Sequence, residues 1–587
     1  MKKINVNKNT IWSTAFVNEL VANGLKHACI SPGSRNTPLT IAFAKNKKIK
    51  KYVLIDERSS AFFALGLAKV KNEPVALITT SGTATAELYP AIIEAYKQRI
   101  PLIVCTADRP PGFFERGANQ TINQQNIYAN HIRYFKDMGM PHINADKIKS
   151  VRKTAHKAID ISLHKNPGPI HLNFPFNKPF EPDAFTHQIS NAINEIAQSK
   201  KSIIGQPAKN KDDFISYKKL FNDLIVTLNS FEKGIIIVGP ENYTGGFHKK
   251  VVRLADKLNY PVLADGVSQL RFNAHSKKNI ISNYDAILRS EEFSKKHRPD
   301  IILHFGRTVT SKGLENYLTK IKCQKYLINK FGDIFDPSNN TTASFKYLPS
   351  AFCDEIINRM NKKQIESEWL NSFVNADTIT EKIKNKIISK AKYPIESRIV
   401  KEVLDLIPAG SNIMLSNSMP IRDFDYFASN TNKKITVFNN RGASGVDGII
   451  STAMGISKRS KKPTVLLTGD IAFYYDLNGL LQARKNFTPL TIILINNNGG
   501  GIFRILPISK YKDVFEKYFL TPHNLNFAEL TKGFGVKHTL IKNWNHFRNS
   551  FNTAIRNKNT QVLELKTDSD QSLKIRKQYW DKVRQTL

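Results

Sequence analysis

Two short loops hold the residues whose types and spacing could do the most definite chemistry. Thr468-Gly469-Asp470-Ile471 ends one apolar run, and Asn496-Asn497-Asn498-Gly499-Gly500-Gly501 ends the next. The 24 residues from 472 to 495 suffice for one helix and one strand, so both loops should emerge at the same edge of a parallel sheet. Asp470 offers a carboxylate oxygen, Asn497 an amide oxygen and Gly499 a backbone carbonyl. Hard oxygen donors of this kind suit Mg2+, which usually keeps waters and phosphate oxygens in its shell. The glycines let backbone N–H groups approach an anion closely. G-D and N-G are also common turn dipeptides, and it is the joint spacing that argues for a site. No G-K dipeptide, G-x-G-x-x-G or H-E-x-x-H occurs, so neither a P-loop, a dinucleotide fingerprint nor a zinc-protease helix competes.

A second candidate is Glu57, in YVLIDERSSAFFALGLAKV, just after the apolar run 52–55 and at the start of an apolar helix. Alone, such a carboxylate would be read as a helix N-terminal charge stabilised by the macrodipole. At the carboxyl end of a strand, shielded from water, it could instead serve as a tuned acid.

These residues need a scaffold of strands and helices. Short β-branched runs at 28–30, 52–55, 75–79, 102–106 and 170–174 predict buried parallel strands. The pattern recurs at 413–415, 435–438, 464–467, 491–495 and 562–565, and between them at 234–238, 262–264, 301–305 and 326–328. Polar stretches near 188–213 and 361–380 read as connectors. The fold class is therefore α/β, with three doubly wound parallel-sheet domains over residues 1–187, 188–365 and 366–587. The outer two resemble each other. PVALITTSGTA from Pro74 is matched by PTVLLTGDIA from Pro463, and a second proline-led strand follows 27 and 26 residues later. Two copies of one fold, each binding ligands beyond the carboxyl ends of its strands, could hold one elongated ligand between them.

Of the 587 residues, 41% are hydrophobic and 23% charged, as in an ordinary globular chain. No apolar run is long enough to span a membrane. The N-terminal stretch has no apolar h-region and reads as an amphipathic helix rather than a signal peptide. Cys29, Cys105, Cys323 and Cys353 form no close pair, which argues against a disulfide framework or zinc ribbon and fits a reducing cytoplasm. Lys plus Arg outnumber Asp plus Glu by 87 to 49, a net charge of +38. Such an excess can mark a nucleic-acid-binding protein. The lysines are dispersed, however, and runs such as 47–51 and 458–462 fall in connections, so they read as solvated surface with no specific nucleic-acid partner.

G-D-x, about two dozen residues and then N-N is similar to the signature of thiamine diphosphate enzymes, with Ile471 in place of the usual third glycine. CISPGSRNTPLT, DERSSAFFALGLAK, TTSGTATAELYPAIIEA, TADRPP and GANQTINQ extend the likeness in the first domain. SNSMPIRDFD, NNRGASGVDGIISTAMGI, GDIAFYYDLNGL and NNNGGGIF do so in the last. Together they resemble the family of 2-succinyl-5-enolpyruvyl-6-hydroxy-3-cyclohexene-1-carboxylate synthases of menaquinone biosynthesis, in which the G-D-hydrophobic variant is at home. The central domain matches mainly through FGRTVTSKGL.

The resemblance implies a pyrimidine-binding first domain, a diphosphate- and metal-binding last domain, and two cofactors, thiamine diphosphate and Mg2+, with Mn2+ as an alternative. It implies decarboxylation of 2-oxoglutarate and 1,4-addition of the succinyl unit to isochorismate; the competing activity is another thiamine diphosphate carboligase, acetolactate-synthase-like and acting on pyruvate. Glu57 would protonate the cofactor's pyrimidine ring. The metal would be held by Asp470, Asn497 and the Gly499 carbonyl, with Gly469 and Ile471 beside them. Ile502, Phe503 and Leu506 would wall the reacting centre. Ser34, Arg35, Arg109, Asn119, Gln120, Lys312, Ser418, Arg422 and Arg441 would line the substrate site, with Arg35, Gln120 and Arg441 also counted as catalytic. Ser418 and Arg422 would hold the donor's distal carboxylate. The arginines suit this task because their forks match carboxylates bidentately. His131 and His523 receive no role. Half-sites on duplicated domains imply a homodimer or homotetramer.

Overall fold

The computed structural model describes residues 3–114, 116–204, 217–360, 367–485 and 488–587. Three six-stranded, all-parallel sheets organise them. The first contains His27–Ile30, Lys50–Val53, Val75–Thr79, Leu102–Asp108, Phe135–Asp137 and Ile170–Pro175. Numbered along the chain within the sheet, its spatial order is 2-1-3-4-6-5. The third contains Ser411–Leu415, Ile435–Asn439, Thr464–Gly469, Thr491–Asn496, Lys537–Leu540 and Gln561–Lys566, again in the order 2-1-3-4-6-5. The central sheet runs 3-2-1-4-5-6, the other common doubly wound order. The internal likeness of the two outer segments is thus a likeness of topology.

Most of the apolar runs become buried strands, because residues covered by helices on both faces read as continuous Val/Ile/Leu stretches. Leu102–Asp108, for example, is buried throughout. The run 52–55 does not: its strand is Lys50–Val53 at the sheet edge, in which only Tyr52 is buried, and Val53 and Ile55 are exposed. The strands that the runs did not predict, Phe135–Asp137, Ile280–Ile281, Ala343–Lys346 and Lys537–Leu540, are short and lie at or next to sheet edges, and most are polar and half-open. The expected connectors are partly built. His187–Ser190 pairs antiparallel with Lys3–Val6, and the helix Asn191–Gln198 packs on the helix Lys8–Ala22. Residues 367–380 belong to the cap and body of the helix Glu368–Lys390; residues 205–216 and 361–366 lie outside the described residues.

One apolar core serves both outer domains. It includes Leu77 and Val104 from the first sheet and Leu466 and Ile492 from the third, joined through the helices Glu57–Lys71 and Ile449–Ser460. These helices cross almost backbone to backbone. A Cβ on Gly66 would lie 2.1 Å from the Thr452 carbonyl oxygen, and one on Gly455 2.2 Å from that of Phe63. Polar ties flank the crossing: Asn478 Nδ2 donates to Asp56 at 2.6 Å and Arg58 to the Tyr475 carbonyl at 3.0 Å. None of the described helices is long and apolar enough to cross a membrane.

Candidate functional site

The strands Thr464–Gly469 and Thr491–Asn496 are adjacent and parallel, so their two loops meet at one edge as the spacing required. Asp470 opens the helix Asp470–Tyr475 and is buried. Its Oδ1 accepts from the Ile471 N–H at 2.8 Å and its Oδ2 from the Gly499 N–H at 3.0 Å, which ties the loops together. Gly499 adopts φ +144, and a Cβ there would lie 2.1 Å from the Leu520 carbonyl oxygen, so only glycine fits. Asn497 donates through Nδ2 to Glu396 at 2.9 Å, while its Oδ1 is buried with no hydrogen-bond partner. A buried acceptor without a donor is costly. An oxygen-binding cation beside Asp470 would satisfy it, so the residues present fit Mg2+.

Beneath this loop runs an ion network that the sequence did not disclose. Glu396, which orients Asn497, pairs with Arg576, and Arg576 donates through Nε to Asp423 at 2.7 Å. All three are buried, and Asp423 adjoins Arg422 on the helix Met419–Phe427. His523 brings Nε2 to 3.2 Å from Asp470 Oδ2. No local motif joins positions 470 and 523; the contact arises from the fold.

The arginines gather in two groups. Arg35 donates to the Phe176 carbonyl at 2.8 Å, and its pKa is lowered by burial and then by the charge of Arg109. The Arg109 guanidinium donates to the Asn119 carbonyl at 2.6 and 2.9 Å. Gln120, at φ +53, stands against Gly82, and Ser34 is exposed beside Arg35. This group sits beyond the carboxyl ends of the first sheet. In the third domain, Arg422 donates to the Ser418 carbonyl at 2.8 Å, and Arg441 has its pKa lowered by burial and then by Arg422. The Arg441 loop is clamped from the first domain: the buried Glu94 accepts the N–H groups of Gly442 at 2.8 Å and Ala443 at 2.6 Å.

Two expected members stand apart. Lys312 is exposed and ion-paired with Glu315 at 2.8 Å, with no contact to either arginine group among the described residues. Glu57 begins its helix as expected, and its pKa is raised by burial, with the charges of Asp56 and Glu87 adding to the effect. Yet no hydrogen bond or ion pair joins Glu57 to Asp470, Asn497 or Gly499 within the described chain. Ile502 and Phe503 are half-buried on the turn Gly501–Ile505, and Leu506 is exposed.

Sequence comparisons give this arrangement a family. Residues 12–127 match the family model described as thiamine pyrophosphate enzyme, N-terminal TPP binding domain. Residues 202–414 match the middle domain of thiamine pyrophosphate enzymes, and 425–565 the C-terminal TPP binding domain. The 2-succinyl-5-enolpyruvyl-6-hydroxy-3-cyclohexene-1-carboxylate synthase of Geobacillus kaustophilus is 36% identical over 574 residues, 98% of each chain. That of Haloarcula marismortui is 35% identical over 594 residues, 99% of each. The chain belongs to this synthase family. The family's three-domain fold also appears in the Rhodococcus jostii thiamine diphosphate-dependent 4-hydroxybenzoylformate decarboxylase. That structure superposes with a TM-score of 0.70 at 15% identity, covering 95% of this chain and 99% of its own.

Proposed function

We propose that the chain is a thiamine diphosphate- and Mg2+-dependent synthase that decarboxylates 2-oxoglutarate and adds the succinyl unit to isochorismate by 1,4-addition. The product is 2-succinyl-5-enolpyruvyl-6-hydroxy-3-cyclohexene-1-carboxylate. What carries the reading is the end-to-end likeness to synthases of that name. Thiamine diphosphate, when bound, supplies the electron sink that loss of CO2 requires.

The chain's own residues do the rest. Asp470, Asn497 through its idle Oδ1, and the Gly499 carbonyl would hold the cation, with Gly469 and Ile471 beside them. Glu57, whose pKa burial raises, would share a proton with the cofactor ring. Ile502 and Phe503, half-buried, and Leu506, exposed in the single chain, would wall the reacting carbon against water. Ser418 and Arg422 receive the donor's distal carboxylate. Ser34, Arg35, Arg109, Asn119, Gln120 and Arg441 receive isochorismate and the charge that develops on it, where preplaced cations act most strongly. Lys312 joins them only by leaving Glu315. Two arginine groups suit two dicarboxylates better than pyruvate, which sets the acetolactate-type reading second.

The working unit in this reading is a homodimer, as half-sites carried on duplicated domains imply. Apolar side chains left open beside them support this: Ile55 is 57% exposed and Tyr474 52%.

The test is incubation of purified protein with 2-oxoglutarate, isochorismate, Mg2+ and thiamine diphosphate, with the product weighed by mass spectrometry. Isochorismate should be consumed with release of one CO2. Turnover of pyruvate with isochorismate untouched would overturn the reading.

A further inference from the structure

The loop that carries Arg441 joins the strand Ile435–Asn439 to the helix Ile449–Ser460 and has no regular structure of its own. Side chains from elsewhere hold its backbone. Asn417, just after the strand Ser411–Leu415, donates through Nδ2 to the Asn440 carbonyl at 2.9 Å and the Gly445 carbonyl at 2.7 Å. Glu94, in the first domain, takes the two N–H groups that follow Arg441.

Glu94 is only 3% exposed, on the helix Tyr89–Gln98. A carboxylate suits the task because it has two acceptor oxygens and no donor. Oε1 serves Gly442 and Oε2 serves Ala443. One turn further on, Gln98 donates to Glu94 Oε1 at 2.5 Å and to the Asn439 carbonyl at 3.3 Å. Lys69 donates to Gln98 Oε1 at 2.5 Å and to the same Asn439 carbonyl. The loop rests on the helix itself: a Cβ on Gly442 would lie 2.9 Å from Lys97 Cβ and 3.0 Å from the Glu94 carbonyl oxygen. Arg441, by contrast, is half-buried, and its guanidinium has no hydrogen bond or ion pair to protein among the described residues. The backbone is pinned on both sides of a side chain whose charged end is left open.

We propose that Glu94 is a positioning residue for Arg441, fixing the loop so that the guanidinium meets the acceptor substrate. The proposal rests on the reading above, in which Arg441 receives isochorismate. An arginine on an unpinned loop would spread its charge over many placements, and an error of about 1 Å in such a group can cost roughly a hundredfold. The acceptor half of the reaction in the third domain is thus aligned by a residue of the first.

The experiment compares parent, Glu94→Gln, Gly442→Ala, Arg441→Ala and the double variant Glu94→Gln/Arg441→Ala, all saturated with thiamine diphosphate and Mg2+. Glutamine keeps the shape of Glu94 but turns an NH2 donor toward one of the two N–H groups. Its kcat/KM for isochorismate should fall about tenfold or more, while kcat/KM for 2-oxoglutarate stays within about twofold of the parent's. Gly442→Ala, which lifts the loop from the other side of the contact, should show the same split. With Arg441 already removed, Glu94→Gln should cost no more than about a further twofold. Three results would each overturn the proposal: an unchanged kcat/KM for isochorismate in either single variant of the contact, equal losses for both substrates, or effects of Glu94 and Arg441 that multiply. If Glu94→Gln loses its hold on thiamine diphosphate, Gly442→Ala alone decides. A parent protein that leaves isochorismate untouched would overturn the functional reading, whereas the three results above strike the positioning role alone.

Discussion

Asn497 turns its amide nitrogen to Glu396 and keeps its oxygen buried and idle, a cost that an oxygen-binding cation would offset. Asp470→Ala should therefore shift the requirement for Mg2+ and thiamine diphosphate upward by about tenfold or more, read from cofactor-dependent activity curves. Glu57→Gln should behave in the opposite way. Cofactor binding by calorimetry should stay near normal and turnover should fall by roughly two to four orders of magnitude; near-normal turnover would remove Glu57 from the mechanism. At this scale much was legible in advance. Asp470, Asn497 and Gly499 stand out because two strand-end loops a fixed distance apart must share an edge. Glu396, Arg576 and His523 did not stand out, because each reaches the site by a contact between residues 53 or more positions apart. Nothing in their neighbours announces such contacts.

The crossing of the Glu57–Lys71 and Ile449–Ser460 helices sets the spacing of the outer domains, and two glycines permit it. Gly66→Ala must push a methyl group into the Thr452 carbonyl, so the helices must part. The expected loss is about 1–3 kcal/mol, seen as a lower thermal midpoint, whereas Gly24→Ala lies in open space and tests only its left-handed φ. The second helix is also capped by a buried acid. Asp476 accepts from the Ser451 N–H at 2.7 Å, and burial raises its pKa to about 7. The folded state thus keeps a proton that the unfolded chain has released. The stabilisation is full below about pH 4 and is lost as pH rises to about 7. Asp476→Asn should flatten this part of the thermal-midpoint-versus-pH curve; an unchanged slope would show that Asp476 is not its source. Strand runs were readable at the element scale because two-sided burial leaves unbroken apolar stretches. The helix Asn191–Gln198 was not, since its few apolar residues become meaningful only against Lys8–Ala22, far back in the chain.

For the molecule as a whole, the proposed homodimer makes a prediction about pairs of chains. Co-expressed Glu57→Gln and Asp470→Ala subunits form mixed dimers in which one site carries both lesions and the other carries neither. Activity should return to about a quarter of the parent's, though each variant alone is nearly inactive. No recovery, or an active monomer in sedimentation, would place both half-sites on one chain. The matching 2-1-3-4-6-5 sheets sharpen what such pairing means. Where the later copy carries Asp470, the earlier copy carries Ser81, buried at the same turn after its strand. A hydroxyl there cannot replace the carboxylate as an anionic anchor for a divalent ion. In the proposed homodimer the twins thus divide the labour, and four such domains make two workplaces rather than four.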